Sequence, residues 1–305
     1  MRDAFIATLT EHARKNPRIA LITGDLGFGV LTKYAEELPG QYVNAGVAEQ
    51  NMTAIAAGMA LSGWQTYTYS IANFTTLRCL EQIRNDVCYH DADVTVVSVG
   101  GGFSYGQLGM SHFATEDLAI LRAIPNIRVV APSEEWETQD LAAELAATPG
   151  PAYLRLDKGR GGIARREGEV ARLGKARLVR EGSDVTLVSI GAILKECIGA
   201  AAELEKSGIS TRILSISSLK PFDEQSVLDA ARETGGIITV EEHSVIGGLG
   251  GTVAETLLEN GAQPGFFRRV GLKDQYPTVV GDQDYLRKAY GMDAASIAAI
   301  ARAAL

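Results

Sequence analysis

The sequence predicts an α/β protein of two domains, each a mostly parallel sheet covered by helices. Three observations carry that reading. Short β-branched runs alternate with helical patterns along the chain, which is the order of a parallel sheet with crossover helices. The strand runs carry apolar residues on both faces, as expected where both faces of a sheet are covered. At 305 residues the chain exceeds one ordinary core and suits two domains of common size.

The first domain is assigned to residues 1–157. It opens with MRDAFIATLTEHARKNP, an amphipathic helix with charges throughout. Strands are expected at 19–23 (IALIT), 65–70 (QTYTYS), 94–100 (VTVVSVG), 127–132 (IRVVAP) and 152–156 (AYLRL). Helices are expected around 49–62, 75–88, 115–124 and 133–147. The first of these begins Glu49-Gln50-Asn51 and then runs through Ala, Gly and Met with almost no polar stripe after Thr53. It therefore reads as a buried helix with a carboxyl group at its mouth.

Residues 158–183, where glycine and charge rise and the apolar periodicity weakens, read as a linker. The alternation restarts in a second, smaller α/β domain at 184–305. Its strands are expected at 185–190, 211–217, 236–242 and 266–272. Helices run to about 206, from Asp223, from Gly248 and through the tail.

Composition narrows the function classes. Twenty-nine Lys and Arg against 37 Asp and Glu leave a net charge of −8, which opposes non-specific nucleic-acid binding. No apolar run reaches 18 residues and the N-terminal helix lacks the apolar core of a signal peptide, so a soluble cytoplasmic protein is expected. Cys79, Cys88 and Cys197 have no metal-ligand spacing and read as buried free thiols.

Open α/β sheets bind ligands at the carboxyl ends of their strands. Five stretches are expected there, converging on one cleft: TGDLGFG (23–29), NAGVAEQN (44–51), SIANF (70–74), GGGFSYGQLGMSH (100–112) and DKGRGG (157–162). They bring an acid, a helix carboxyl, an aromatic ring, a glycine-rich loop with a histidine, and a cation. Neither glycine-rich stretch has a dinucleotide or P-loop pattern.

In this order the stretches resemble the pyrimidine-binding and C-terminal domains of the transketolase family. VAEQNM (47–52) is similar to the family's Val-Arg-Glu-His motif, TGDL (23–26) to its Asp-Leu turn, and GMSH (109–112) to its Gly-Pro-Thr-His. VEEHSVIGGLG (240–250) resembles the start of a helix in the family's C-terminal domain, and the resemblance covers essentially the whole chain.

The resemblance implies thiamine diphosphate as cofactor, with Glu49 bonded to the aminopyrimidine ring. A carboxyl in an apolar setting can share a proton with a weakly basic nitrogen there. It further implies Phe74 stacked on that ring, Asp25 and Leu26 beside the cofactor, and His112 acting on substrate. Gly29 and Lys158 would lie along the substrate. The reaction implied is transfer of a two-carbon ketol unit. The same arrangement occurs in the beta subunits of 2-oxoacid dehydrogenases, and a non-catalytic structural or regulatory subunit of this fold is a third reading. GMSHFATED and the GGLGG region look closer to transketolase.

Departures from the family pattern matter as much. The family's second substrate histidine is glycine here, at Gly100 or a neighbour; the acid before its Gly-Pro-Thr-His is Leu108; the serine after the Asp-Leu turn is Gly29. A substrate other than the standard pentose phosphates is therefore expected. The Gly-Asp-Gly motif with its downstream Asn, which in the family holds diphosphate and Mg2+, is absent from the sequence, so no metal ligand is assigned to this chain. A separate N-terminal-half subunit carrying that motif is expected, with two copies of each subunit and homodimer contacts. The Glu241-Glu242-His243 segment reads as packing.

Overall fold

In the computed structural model, which describes residues 1–305, six parallel strands build the body of the first sheet. They are β1 (Ile19–Thr23), β2 (Tyr42–Asn44), β3 (Gln65–Ile71), β4 (Val94–Val99), β5 (Arg128–Val130) and β6 (Ala152–Leu156), in spatial order β5-β6-β4-β3-β1-β2. Every residue of β1, β4 and β6 is buried, which accounts for their unbroken runs of strand-forming residues.

The chain continues through β7 (Ala176–Arg180), β8 (Val185–Ile190), β9 (Thr211–Ile216), β10 (Ser218–Lys220), β11 (Ile237–Ser244) and β12 (Phe267–Leu272). Five of these form a second sheet in the order β12-β11-β8-β9-β7, parallel except for β7. Strand β10 instead crosses to the first sheet and pairs antiparallel with β5, placing Ser218 opposite Val130. The two sheets are thus joined through backbone hydrogen bonds. Leu214, Ile216 and Leu219 share a core cluster with Ile22, Val94 and Val129.

Three expectations are corrected. The stretch 158–183 is not wholly linker: β7 lies within it, antiparallel to β9. All five of its residues are half-buried at a sheet edge, so no apolar alternation announces it. The helix expected over 75–88 is three pieces, Ala72–Thr76, Leu80–Gln82 and the wider-turned Ile83–Cys88. A local widening of this kind carries no simple sequence signature. The helix Glu49–Leu61 buries only one face, through Glu49, Met52, Thr53, Ala56 and Ala57. Its other face leaves Ala54, Gly58 and Leu61 exposed, continuous in sequence with exposed Val47, so its lack of a polar stripe does not mean burial within this chain.

Because β1, β2, β3, β4 and β6 are parallel, the five chemistry-bearing stretches all leave the same edge of the first sheet. The three cysteines are buried and unpaired. No helix is long and apolar enough to cross a membrane.

Candidate active site

The turn after β2 delivers Glu49 into the first turn of its helix, where the unsatisfied amides of a helix start favour an acid. Its side chain is only 3% exposed, and Gly24 of the neighbouring turn packs against it: a Cβ at Gly24 would lie 3.2 Å from Glu49 Cγ. One guanidinium NH of Arg78 donates to Glu49 Oε2 over 2.6 Å. The same planar group lies over the Phe74 ring, with Cζ 4.6 Å from the ring centroid.

Phe74 in turn meets the His112 ring edge-on at 5.2 Å. The two are brought together by Asn73, whose side-chain amide donates to the Ser111 carbonyl over 2.8 Å and ties the segment after β3 to the glycine-rich loop. Ser111 Oγ lies 2.9 Å from His112 Nδ1. His112 stands 6.2 Å from the Tyr105 ring, and the ammonium of Lys158 sits 3.7 Å above that ring. A continuous line of contacts therefore runs Glu49, Arg78, Phe74, His112, Tyr105, Lys158.

Gly100 explains the position of Tyr105. Its φ of +91° suits glycine, and a Cβ there would lie 2.1 Å from the Tyr105 ring. The aromatic ring occupies the space that a side chain at Gly100 would need. Tyr105, Ser104, Gln107 and Lys158 line a cavity of about 390 Å³ together with Gly281, Asp282 and Gln283 from the second domain. Partial burial, and then the nearby charge of Arg2, push the Lys158 ammonium below the usual lysine range.

Asp25 lies beside this line rather than in it. Its left-handed backbone (φ +56°) and its carboxylate are both held by Asn44, whose amide donates to Asp25 Oδ1 over 2.9 Å while its carbonyl oxygen accepts from the Asp25 amide over 3.1 Å. Asp25 and Leu26 line a cavity of about 320 Å³ with Tyr42 and Asn44. Gly29 is placed in a different groove, with Arg2, Lys33 and Gln139. The single cleft expected for five stretches is therefore one connected line, flanked by the Asp25 turn and with Gly29 outside it.

Sequence reasoning missed Arg78, Asn73 and Tyr105. Arg78 falls four residues after Phe74, the spacing that stacks side chains on one helix face, which is the signal that could have found it. No group of three or more His, Cys, Asp or Glu side chains is arranged to hold a metal ion.

Residues 1–162 match the family model of the transketolase pyrimidine-binding domain, and residues 174–297 match that of the transketolase C-terminal domain. The chain belongs to the transketolase family and comprises these two domains. It is 36% identical over 298 residues to a 6-deoxy-6-sulfo-D-fructose transketolase subunit of Clostridium sp. strain MSTE9, covering 97% of this chain and 92% of the relative. It is 38% identical over 296 residues to an apulose-4-phosphate transketolase subunit of Phocaeicola vulgatus, covering 96% and 93%. Among solved structures, a split-gene transketolase described as an inactive beta4 tetramer superposes with a TM-score of 0.90 at 34% identity, over all of this chain and 97% of that one.

Proposed function

We propose that this chain is the C-terminal-half subunit of a split, thiamine diphosphate-dependent transketolase. The reaction is transfer of a two-carbon ketol unit from a ketose to an aldehyde. The observation that carries the reading is the grouping of Glu49 and Phe74 around one planar group. Arg78 already satisfies both residues with a flat, N–H-donating guanidinium. An aminopyrimidine, also flat and, once its ring nitrogen carries the proton, N–H-donating, fits the same two demands in place of that guanidinium.

When bound, thiamine diphosphate supplies a nucleophilic carbon and an electron sink for the transferred unit. This chain's residues do the rest of the work on this side of the site. Glu49 bonds a ring nitrogen and holds a proton there, in a pocket that water barely reaches. Phe74 supports the ring face. Asp25, fixed through Asn44, and Leu26 flank the ring. His112, 5.2 Å from Phe74, moves a proton at the substrate oxygen. Lys158 attracts an anionic substrate tail, while Gly29 stands in the groove of Arg2 and Lys33, outside that line.

Because the sequence lacks the Gly-Asp-Gly motif, the diphosphate and Mg2+ belong to an N-terminal-half partner. In the related split-gene transketolase a tetramer of beta chains alone is described as inactive, which supports the need for that partner. The exposed Val47, Ala54, Gly58 and Leu61 supply an apolar surface for contact with a second chain, consistent with a hetero-tetramer of two copies of each subunit. A cytoplasmic location belongs to the same reading.

The substituted positions Gly29, Gly100 and Leu108 argue for a donor or acceptor other than the standard pentose phosphates. Relatives named for 6-deoxy-6-sulfo-D-fructose and apulose-4-phosphate support that view. Native mass spectrometry of the chain purified from its own source, with thiamine diphosphate and Mg2+, tests the assembly. A hetero-tetramer that binds the cofactor and transfers ketol units is expected. A homo-oligomer with full activity contradicts it, and preference for xylulose 5-phosphate with ribose 5-phosphate over other pairs contradicts the substrate reading.

A further inference from the structure

We infer that Glu242, in the second domain, is a positioning residue for the glycine-rich loop that carries His112, so the second domain sets the geometry of the substrate site. The inference rests on the functional reading above only for its effect on turnover; its structural half stands on the contacts alone.

The loop leaves β4 and closes on itself through Gly102 and Ala114, whose backbones exchange hydrogen bonds of 2.9 and 3.1 Å. Its base is held by the other domain. Glu242 is buried at the carboxyl end of β11, and its Oε1 accepts the Phe103 amide over 2.5 Å and the Gln283 side-chain amide over 2.8 Å. Its Oε2 accepts Arg287 Nε over 2.5 Å, and its carbonyl accepts from Arg155 of β6 over 3.0 Å. Both carboxylate oxygens of Glu242 are thus committed, and one of them holds a backbone amide of the loop.

Two further features show how closely the parts fit. Gly102 has φ +57°, and a Cβ there would lie 2.4 Å from Glu242 Oε1 and 2.7 Å from its carbonyl oxygen. Only a residue without a side chain lets the loop reach the carboxylate. Phe103 and Phe113, at the two ends of the loop, pack edge-to-face at 5.2 Å and are buried in the hydrophobic cluster of the second domain, beside Val185, Val240 and Leu286. The base is fixed in one domain while the Met110–His112 turn faces Phe74 in the other. Moving the base displaces the histidine.

Glu242→Gln keeps the shape and removes the charge-assisted bond to the Phe103 amide. Glu196→Gln is the control: Glu196 also pairs with Arg287 and is buried, yet its hydrogen bonds go to Arg287 and Ala294, outside the loop. Amide hydrogen exchange of the chain assembled with its partner should accelerate about tenfold across 103–113 in Glu242→Gln and not in Glu196→Gln, as expected for loss of a charged hydrogen bond. In the same preparation kcat/KM should fall about tenfold with thiamine diphosphate affinity unchanged, and in a His112→Ala background Glu242→Gln should add little to the loss. Unchanged exchange at 103–113, or equal acceleration in the control, overturns the inference. Accelerated exchange with unchanged kcat/KM overturns its catalytic half. A wild-type complex with no ketol transfer overturns the functional reading, while the exchange result still decides the structural half.

Discussion

Arg78 donates to the carboxylate of Glu49 over 2.6 Å from a position stacked on Phe74, so the acid at the helix mouth is held by a cation that sequence reasoning does not anticipate. Arg78 is 46% exposed at its side chain and Glu49 only 3%. The pair is therefore half screened by solvent. Arg78→Ala leaves the buried carboxylate without its partner and should destabilise the chain by about 1 kcal/mol, discounted from the value of a fully buried charged hydrogen bond. Arg78→Lys should restore part of this through charge but not through the planar stack. Denaturant unfolding of the two variants measures both effects.

Tyr105 and Gly100 should be energetically coupled. A methyl group at Gly100 meets the Tyr105 ring and also sits on a left-handed backbone, so Gly100→Ala should cost about 1–3 kcal/mol. In a Tyr105→Ala background the steric part of that cost should vanish, giving a double-mutant interaction of at least about 0.5 kcal/mol. Additive losses in thermal or denaturant unfolding would place Tyr105 elsewhere.

With Lys158 as the proposed substrate cation, substrate binding should depend on pH. Its ammonium is pushed below the usual lysine range by partial burial and then by Arg2, so the cation is lost at lower pH than in an exposed lysine. Binding of an anionic substrate needs the charged form. The affinity should therefore be full at neutral pH and decline as pH rises through the alkaline range, below the ordinary lysine value of about 10.4. Lys158→Arg should remove this decline, because a guanidinium stays charged throughout. The pH profile of KM reads both.

The fold is legible in the sequence where burial on both sheet faces forces continuous strand-forming runs, as in β1, β4, β6 and β8. It is not legible in β2 and β10, three residues each, or in β7, a half-buried edge strand inside a charged stretch. Short and edge strands are specified by their neighbours, and a neighbour contributes no local period. At the site, Glu49 and His112 stand out through family motifs and Phe74 and Lys158 through the wider resemblance, and the contacts join them. Arg78 and Tyr105 escape a search for an acid, a ring and a histidine, because they are the side chains that space those groups. Glu242 reads as packing because its partner, the Phe103 amide, lies 139 residues away along the chain.

Glu49 bears the catalytic assignment most directly. The measurement is ketol transfer by the chain assembled with its N-terminal-half partner, thiamine diphosphate and Mg2+, comparing wild type with Glu49→Gln at equal cofactor occupancy. Glutamine keeps the shape but cannot hold or release the proton, so turnover should fall by about 10²-fold or more. Turnover within about twofold of wild type, well short of a tenfold or 1.4 kcal/mol effect, would contradict the assignment of Glu49 to catalysis.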